Sequence, residues 1–263
     1  MSEIAKNTIS KPPRKTKHIF TLALVVVLAW GSAVQTESSF KELWAGLPNM
    51  WDLLVEMFPP DWGYFSNIKD ALLETIRMAV LGTTFGAILA IPISLLSAGN
   101  IVKIPFLYQT ARFILNLIRT IPDLLLAAIF VAIFGIGPFA GMLALTFFSL
   151  GIIAKLTFES IESIDPGPLE AMTASGANKI QWIHFGVIPQ VTPQFISYVL
   201  YTFEVNIRAA AILGYVGAGG IGQYYEKTLG FLQYDRTNAI IIYTLVVILI
   251  IDYISTKLRE KLV

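Results

Sequence analysis

A chain of 263 residues that is 55% hydrophobic and only 14% charged lacks the roughly 25% charge of a water-soluble domain. Its 19 basic and 18 acidic residues leave a net charge of +1, so no overall field points to nucleic acid, and the absence of cysteine excludes disulfides, thiolate chemistry and cysteine-ligated metals. These limits describe an all-α, polytopic membrane protein folded as a single unit. In such a protein the position of each charge says more than the sum.

Lys11, Arg14, Lys15 and Lys17 precede an uncharged run from Ile19 to Thr36. About 20 apolar residues cross a bilayer, so the run is just long enough, and its basic flank puts a tail over 1–18 in the cytoplasm. A cleaved signal peptide is the competing reading, because Gly31-Ser32-Ala33 has the small residues a cleavage site needs. Residues 37–65 then lie outside. There Phe40, Leu43, Trp44, Leu47, Trp51, Leu54 and Phe58 recur at helical spacing, which suits a helix lying in the interface or one packed over the bundle. The first span and this helix together occupy 19–65.

A membrane core over 66–258 follows, ahead of a short cytoplasmic tail over 259–263. Its first span runs from about Ile68 to Ala98, with Glu74 and Arg77 three apart and placed to pair along one face. Asn100 and Lys103 form a short turn. The next span covers about Ala111 to Phe134 and contains Arg119, Pro122 and Asp123, with a kink expected at Pro122. After Gly135-Ile136-Gly137-Pro138 the fourth span returns from Phe139 to about Phe158.

Asp165-Pro166-Gly167-Pro168 starts a new helix, since proline suits the first turn, where its missing N–H costs nothing. Glu170 falls in that first turn, where the helix dipole favours an anion; Ala171, Ala174 and Ala177 keep the surface slim, and Gly176 is a natural stop. A helix of about two turns within 165–178 is marginal alone in water, so it needs a surface to dock into. The fifth span runs from about Ile188 to Leu213 and the last from about Ala239 to Ile254, ending in Lys257, Arg259 and Lys261. About six spans then place both termini and Lys179 on the cytoplasmic side, as the positive-inside tendency requires.

Charges inside spans are costly and therefore informative. Glu204 and Arg208 stand four apart in the favourable order and can neutralise each other along one face. Alternatively that face lines a translocation path, where Arg208 and Arg119 offer fixed positive charge to an anionic solute through the planar guanidinium fork. Asn206 points elsewhere by spacing. The turn from Gly214 to Gly222 holds five glycines in nine residues, among them Gly217, Gly219 and Gly220. Such a turn is either a backbone nest for an anion or a place of close helix packing. No Gly-x-x-x-x-Gly-Lys-Ser/Thr loop is present, His18 and His184 are the only histidines, and no constellation for hydrolysis appears.

The segment from Glu170 to Pro189 resembles the coupling loop of ABC-importer permeases, whose motif reads Glu-Ala-Ala, three residues, Gly, nine residues, Ile-x-Leu-Pro. Glu170, Ala171, Gly176 and Pro189 match; Met172 replaces the second alanine, Gly186 stands where isoleucine is usual, and Ile188 replaces leucine. Arg119-Thr120-Ile121-Pro122-Asp123, Gly137 to Gly141, Glu159 to Asp165, and Glu204 to Gly222 are similar to the phosphonate-type permeases. The resemblance implies a non-catalytic subunit that carries a phosphorus oxyanion. It also implies a separate ATPase dimer that holds ATP and magnesium, an extracytoplasmic solute-binding protein and a second permease copy. Glu170, Ala171, Met172, Ala174 and Gly176 would meet the ATPase, and Arg119, Glu204, Arg208, Gly217, Gly219 and Gly220 would line the path. A permease for phosphate, phosphite or methionine, or an ion-coupled carrier working alone, remains the alternative.

Overall fold

The computed structural model describes residues 16–36 and 40–261, and every regular element among them is helical. The expected basic flank at Lys11, Arg14 and Lys15 lies outside the described residues. Residues up to Val55 form one unit and those from Glu56 onward another. The first unit holds α1 (Thr16–Gln35) and all but the last residue of α2 (Phe40–Glu56). Along α1 the described side chains are exposed except at Ala33, as befits a helix whose solvent is lipid. On α2, Leu43, Trp44, Trp51 and Leu54 are all exposed, while Phe58, expected on the same stripe, falls beyond the helix end.

The second unit is built on α3 (Phe65–Ser97), α6 (Pro138–Glu162) and α9 (Ile188–Leu213), with α3 and α6 in the most extensive contact. Gly82 and Gly86 of α3 make that approach possible. A Cβ at Gly82 would stand 2.6 Å from Leu145 Cβ, and one at Gly86 would collide with Ser149. With no hydrophobic force between helices in lipid, small residues four apart let backbones meet and dispersion hold them. Asn206, fully buried on α9, ties the three together: its Nδ2 donates to Thr83 Oγ1 at 2.7 Å and Ser149 Oγ at 2.6 Å. Both hydroxyls already donate to carbonyls of their own helices, Ala79 and Leu145, so they are left to accept and the amide's orientation is fixed.

The expected kink at Pro122 is instead a break. Helices α4 (Pro105–Thr120) and α5 (Asp123–Phe134) meet at 89°. Proline bars the α conformation to the residue before it, and Ile121 accordingly sits at φ −80, ψ 121. Asp123 then starts a fresh helix, its Oδ1 accepting Leu124 N at 2.9 Å. Among the described residues five helices are long and apolar enough to cross a membrane, and the broken pair, taken as one span, makes up to six.

The fifth crossing starts earlier than Ile188. A single turn, α8 (Lys179–Gln181), and a π-helical turn over Trp182–Val187 lead directly into α9. Helix α7 (Pro166–Ala174) lies between α6 and α8, and α10 (Gly222–Gly230) precedes the last long helix, α11 (Tyr234–Glu260).

Candidate coupling helix and translocation face

Asp165 caps α7 through Oδ1, which accepts Gly167 N at 2.9 Å, and its own backbone N–H donates to Gln190 Oε1 at 3.0 Å. Gln190 in turn donates to Gly186 O at 2.8 Å, so the start of α7 is tied to the first turns of α9. Leu169 is buried, and its carbonyl accepts Trp182 Nε1 at 3.2 Å. Glu170, Ala171, Ala174 and Gly176 are exposed, and Met172 is half-buried beside Leu169. Gly176 takes φ +78 and closes the helix, with Ala177 N donating to Met172 O at 3.0 Å. The result is a short ridge with its apolar side fastened inward and its slim side outward.

Gly186 explains its own departure from the coupling motif. A Cβ there would come within 2.5 Å of Leu169 Cδ2 and 3.3 Å of Met172 Sδ, so a larger residue would lift α7 off the π-helical turn. At the same end Glu162 accepts Gly99 N at 2.8 Å and pairs with Arg112, whose Nε donates to Ser97 O at 2.8 Å. Lys179 Nζ reaches Ile101 O at 2.6 Å. The α3–α4 turn, the end of α6 and the start of the fifth crossing are thus lashed together around α7.

Glu204 and Arg208 do face each other on α9, at 3.6 Å, but the pair is part of a larger set. Arg208 Nη1 stands 3.2 Å from Asp252 Oδ2, and Glu204 Oε2 stands 2.8 Å from Arg259 Nη2, both partners coming from α11. Two cations and two anions alternate across the helix pair and cancel. Asp252 escaped notice in the sequence, although it is the one charge that interrupts the apolar run from Thr237 to Ser255. Arg119 differs: it is exposed, lies over Gly151 of α6, and has no ion-pair partner among the described residues.

At the opposite end of the bundle Gly217, Gly219 and Gly220 take φ +80, +85 and +73, conformations that side chains disfavour. The turn does present its amides to an anion, and that anion belongs to the chain. Gly220 N donates to Glu74 Oε1 at 2.7 Å, while Ile221 N donates to Thr75 Oγ1 at 2.9 Å. Glu74 is thus engaged by the turn, and the expected pairing between Glu74 and Arg77 is not formed. Gly219 also packs against Pro138, where a Cβ would approach the proline Cα to 2.8 Å. Among the described residues, Arg119, the α9–α11 set and the glycine turn share no partner.

This arrangement of crossings is the fold of the membrane subunits of ABC importers. The methionine transporter MetNI, solved in inward-facing conformations, superposes with a TM-score of 0.65 at 25% identity, covering 82% of this chain and 98% of that one. The chain belongs to the family of binding-protein-dependent transport system inner membrane components, which matches residues 90–262. The permease protein HtxC of Stutzerimonas stutzeri is 39% identical over 246 residues, 94% of this chain and 87% of that protein. The phosphite transport system permease protein PtxC of the same organism is 38% identical over 216 residues, 82% and 78% of the two chains. The protein is a multi-pass permease subunit of an ATP-driven importer.

Proposed function

We propose that this permease carries a small phosphorus oxyanion, of the phosphite, phosphonate or phosphate class, along a path formed with a second copy of itself. An extracytoplasmic binding protein delivers the anion at the glycine-turn end. A separate ATPase dimer, which holds ATP and magnesium, engages α7 in the cytoplasm, where both termini also lie. This chain does no chemistry of its own; it supplies a bundle with two arrangements, and nucleotide binding and hydrolysis bias them.

The observation that carries the reading is the build of α7. It is too short to persist alone, it is anchored on one side through Leu169 and Gln190, and it turns Glu170, Ala171 and Ala174 outward. Rigid anchoring behind and a slim face ahead are what a lever needs. The similarity to PtxC supports the solute class.

The test is uptake into proteoliposomes holding the permease, its ATPase and its binding protein. Labelled phosphite, methylphosphonate or phosphate accumulates only with internal ATP and the binding protein present. Accumulation driven by an ion gradient with no ATPase contradicts the reading.

A further inference from the structure

The charges on the membrane-depth helices differ in how they are neutralised. Glu204, Arg208, Asp252 and Arg259 close on one another, with each arginine beside a carboxylate. Arg119 stands without a counter-charge among the described residues, and Asp123, its nearest acidic neighbour in sequence, spends Oδ1 on Leu124 N. Arg119 is also at depth. Its stem crosses Gly151, near the middle of α6 and two residues from Ser149, the residue that Asn206 reaches.

Helix α4 is divided into three sectors. Leu115 is buried against the bundle, while Phe113, Ile114 and Leu117 are exposed on an apolar side. Between the two, at seven- and three-residue spacing, come exposed Gln109, Asn116 and Arg119, with Thr120 beside them already donating to Leu117 O at 2.7 Å. An uncovered polar sector at membrane depth faces water or protein, because lipid would leave its groups unsatisfied. Beside Arg119 is a recess of about 190 Å³ at the α4–α5 elbow, walled by Ile118, Ile121, Leu126, Phe147 and Phe148. At about 30 Å³ per water that is room for roughly six waters, or a small oxyanion with part of its shell.

We propose that Arg119 is the membrane-depth stop for the transported anion, and that the α9–α11 set is a clasp that binds no solute. This inference rests on the importer reading and narrows its path to one cation. The guanidinium fork offers parallel donors to two oxygens of a tetrahedral anion, and the apolar walls strengthen that attraction relative to water. One cation without a second keeps the stop weak enough for the anion to leave. Helix α4 is tied to the α7 end through Arg112 and Glu162, two turns from Arg119, so displacement of the α6 terminus moves the helix that carries the stop.

The test uses the complete importer in proteoliposomes with labelled phosphite, methylphosphonate and inorganic phosphate. Arg119→Gln is expected to cut uptake at least tenfold while ATP hydrolysis by the assembled complex continues, and Arg119→Lys to retain a third or more. Asn116→Glu, which sets a carboxylate three residues from an intact Arg119, is expected to lose uptake as Arg119→Gln does, whereas Asn116→Gln keeps it. The neutral double replacement Arg208→Gln with Asp252→Asn is expected to transport within twofold of wild type. Wild-type uptake in both Arg119→Gln and Asn116→Glu overturns the Arg119 stop and leaves the importer reading standing. A wild-type complex that moves none of the three anions overturns the importer reading and the stop with it.

Discussion

Asn206 and Asp252 show how single polar side chains organise a bundle that hydrophobicity cannot. Replacing Asn206 with Ala removes two interhelical hydrogen bonds, at 2.7 and 2.6 Å, while Thr83 and Ser149 keep their bonds to their own helices. Interhelical hydrogen bonds in membranes contribute about 0.6 kcal/mol on average and up to about 1.7, so the expected loss is about 1–3 kcal/mol. Denaturation of the purified chain in mixed micelles measures it, and an unchanged midpoint rules the tie out. For Arg208 and Asp252, two charges at 4 Å attract by about 4 kcal/mol at an effective dielectric of 20, a figure that the 44% exposure of Arg208 reduces to about 1–2. A double-mutant cycle of Arg208→Gln and Asp252→Asn is expected to show coupling of at least about 1 kcal/mol, and strict additivity contradicts the clasp. The sequence displays Asn206 and the Glu204–Arg208 pair but not the partners that other helices bring to them. The bond from Gly220 to Glu74 joins residues 146 apart in the chain, and no local pattern records such a pairing. Asp252 was legible by the rule that picked out Arg119, a charge in an apolar run.

At the scale of elements, punctuation was the reliable signal. Asp165-Pro166 opens α7 and Gly176 closes it through backbone preferences that need no tertiary contact. Pro122 was legible as a disturbance but not in size, because the choice between a kink and an 89° elbow depends on what receives the second helix. The start of the fifth crossing was missed for a related reason: the π-helical turn at Trp182–Val187 packs Gly186 against Leu169 of α7, a contact that no local pattern records. Restoring the usual isoleucine at Gly186 is therefore expected to impair the protein. The added side chain should displace α7, lowering ATP-driven uptake at least fivefold while the chain still inserts. Uptake equal to wild type in Gly186→Ile contradicts the packing account. Glu170→Arg reverses the charge on the outward ridge without touching the anchored side. It is expected to separate ATP hydrolysis from uptake, and coupled transport in that variant contradicts a docking role for the ridge.

For the whole molecule, composition and run length indicated the class of fold, since spans of about 20 residues follow from bilayer thickness. How the crossings pack was less accessible. Gly82 and Gly86 carry the α3–α6 contact, and their four-residue spacing was present in the sequence, but spacing does not say which helix will approach. If Arg119 is the stop proposed above, force and solute meet along α4, which is held at one end by Glu162 near α7 and carries Arg119 beside the elbow. All of it depends on α7 being a cytosolic lever moved by another protein. The chain contains no cysteine, so Ala171→Cys supplies a single thiol on the exposed ridge. Bifunctional cross-linking of that variant in the assembled importer is expected to join it to the ATPase subunit. The yield should change on adding ATP with vanadate, and the free thiol should react with an impermeant reagent only from the cytoplasmic face. Labelling from the outer face, or no ATPase in the cross-linked product, contradicts the account.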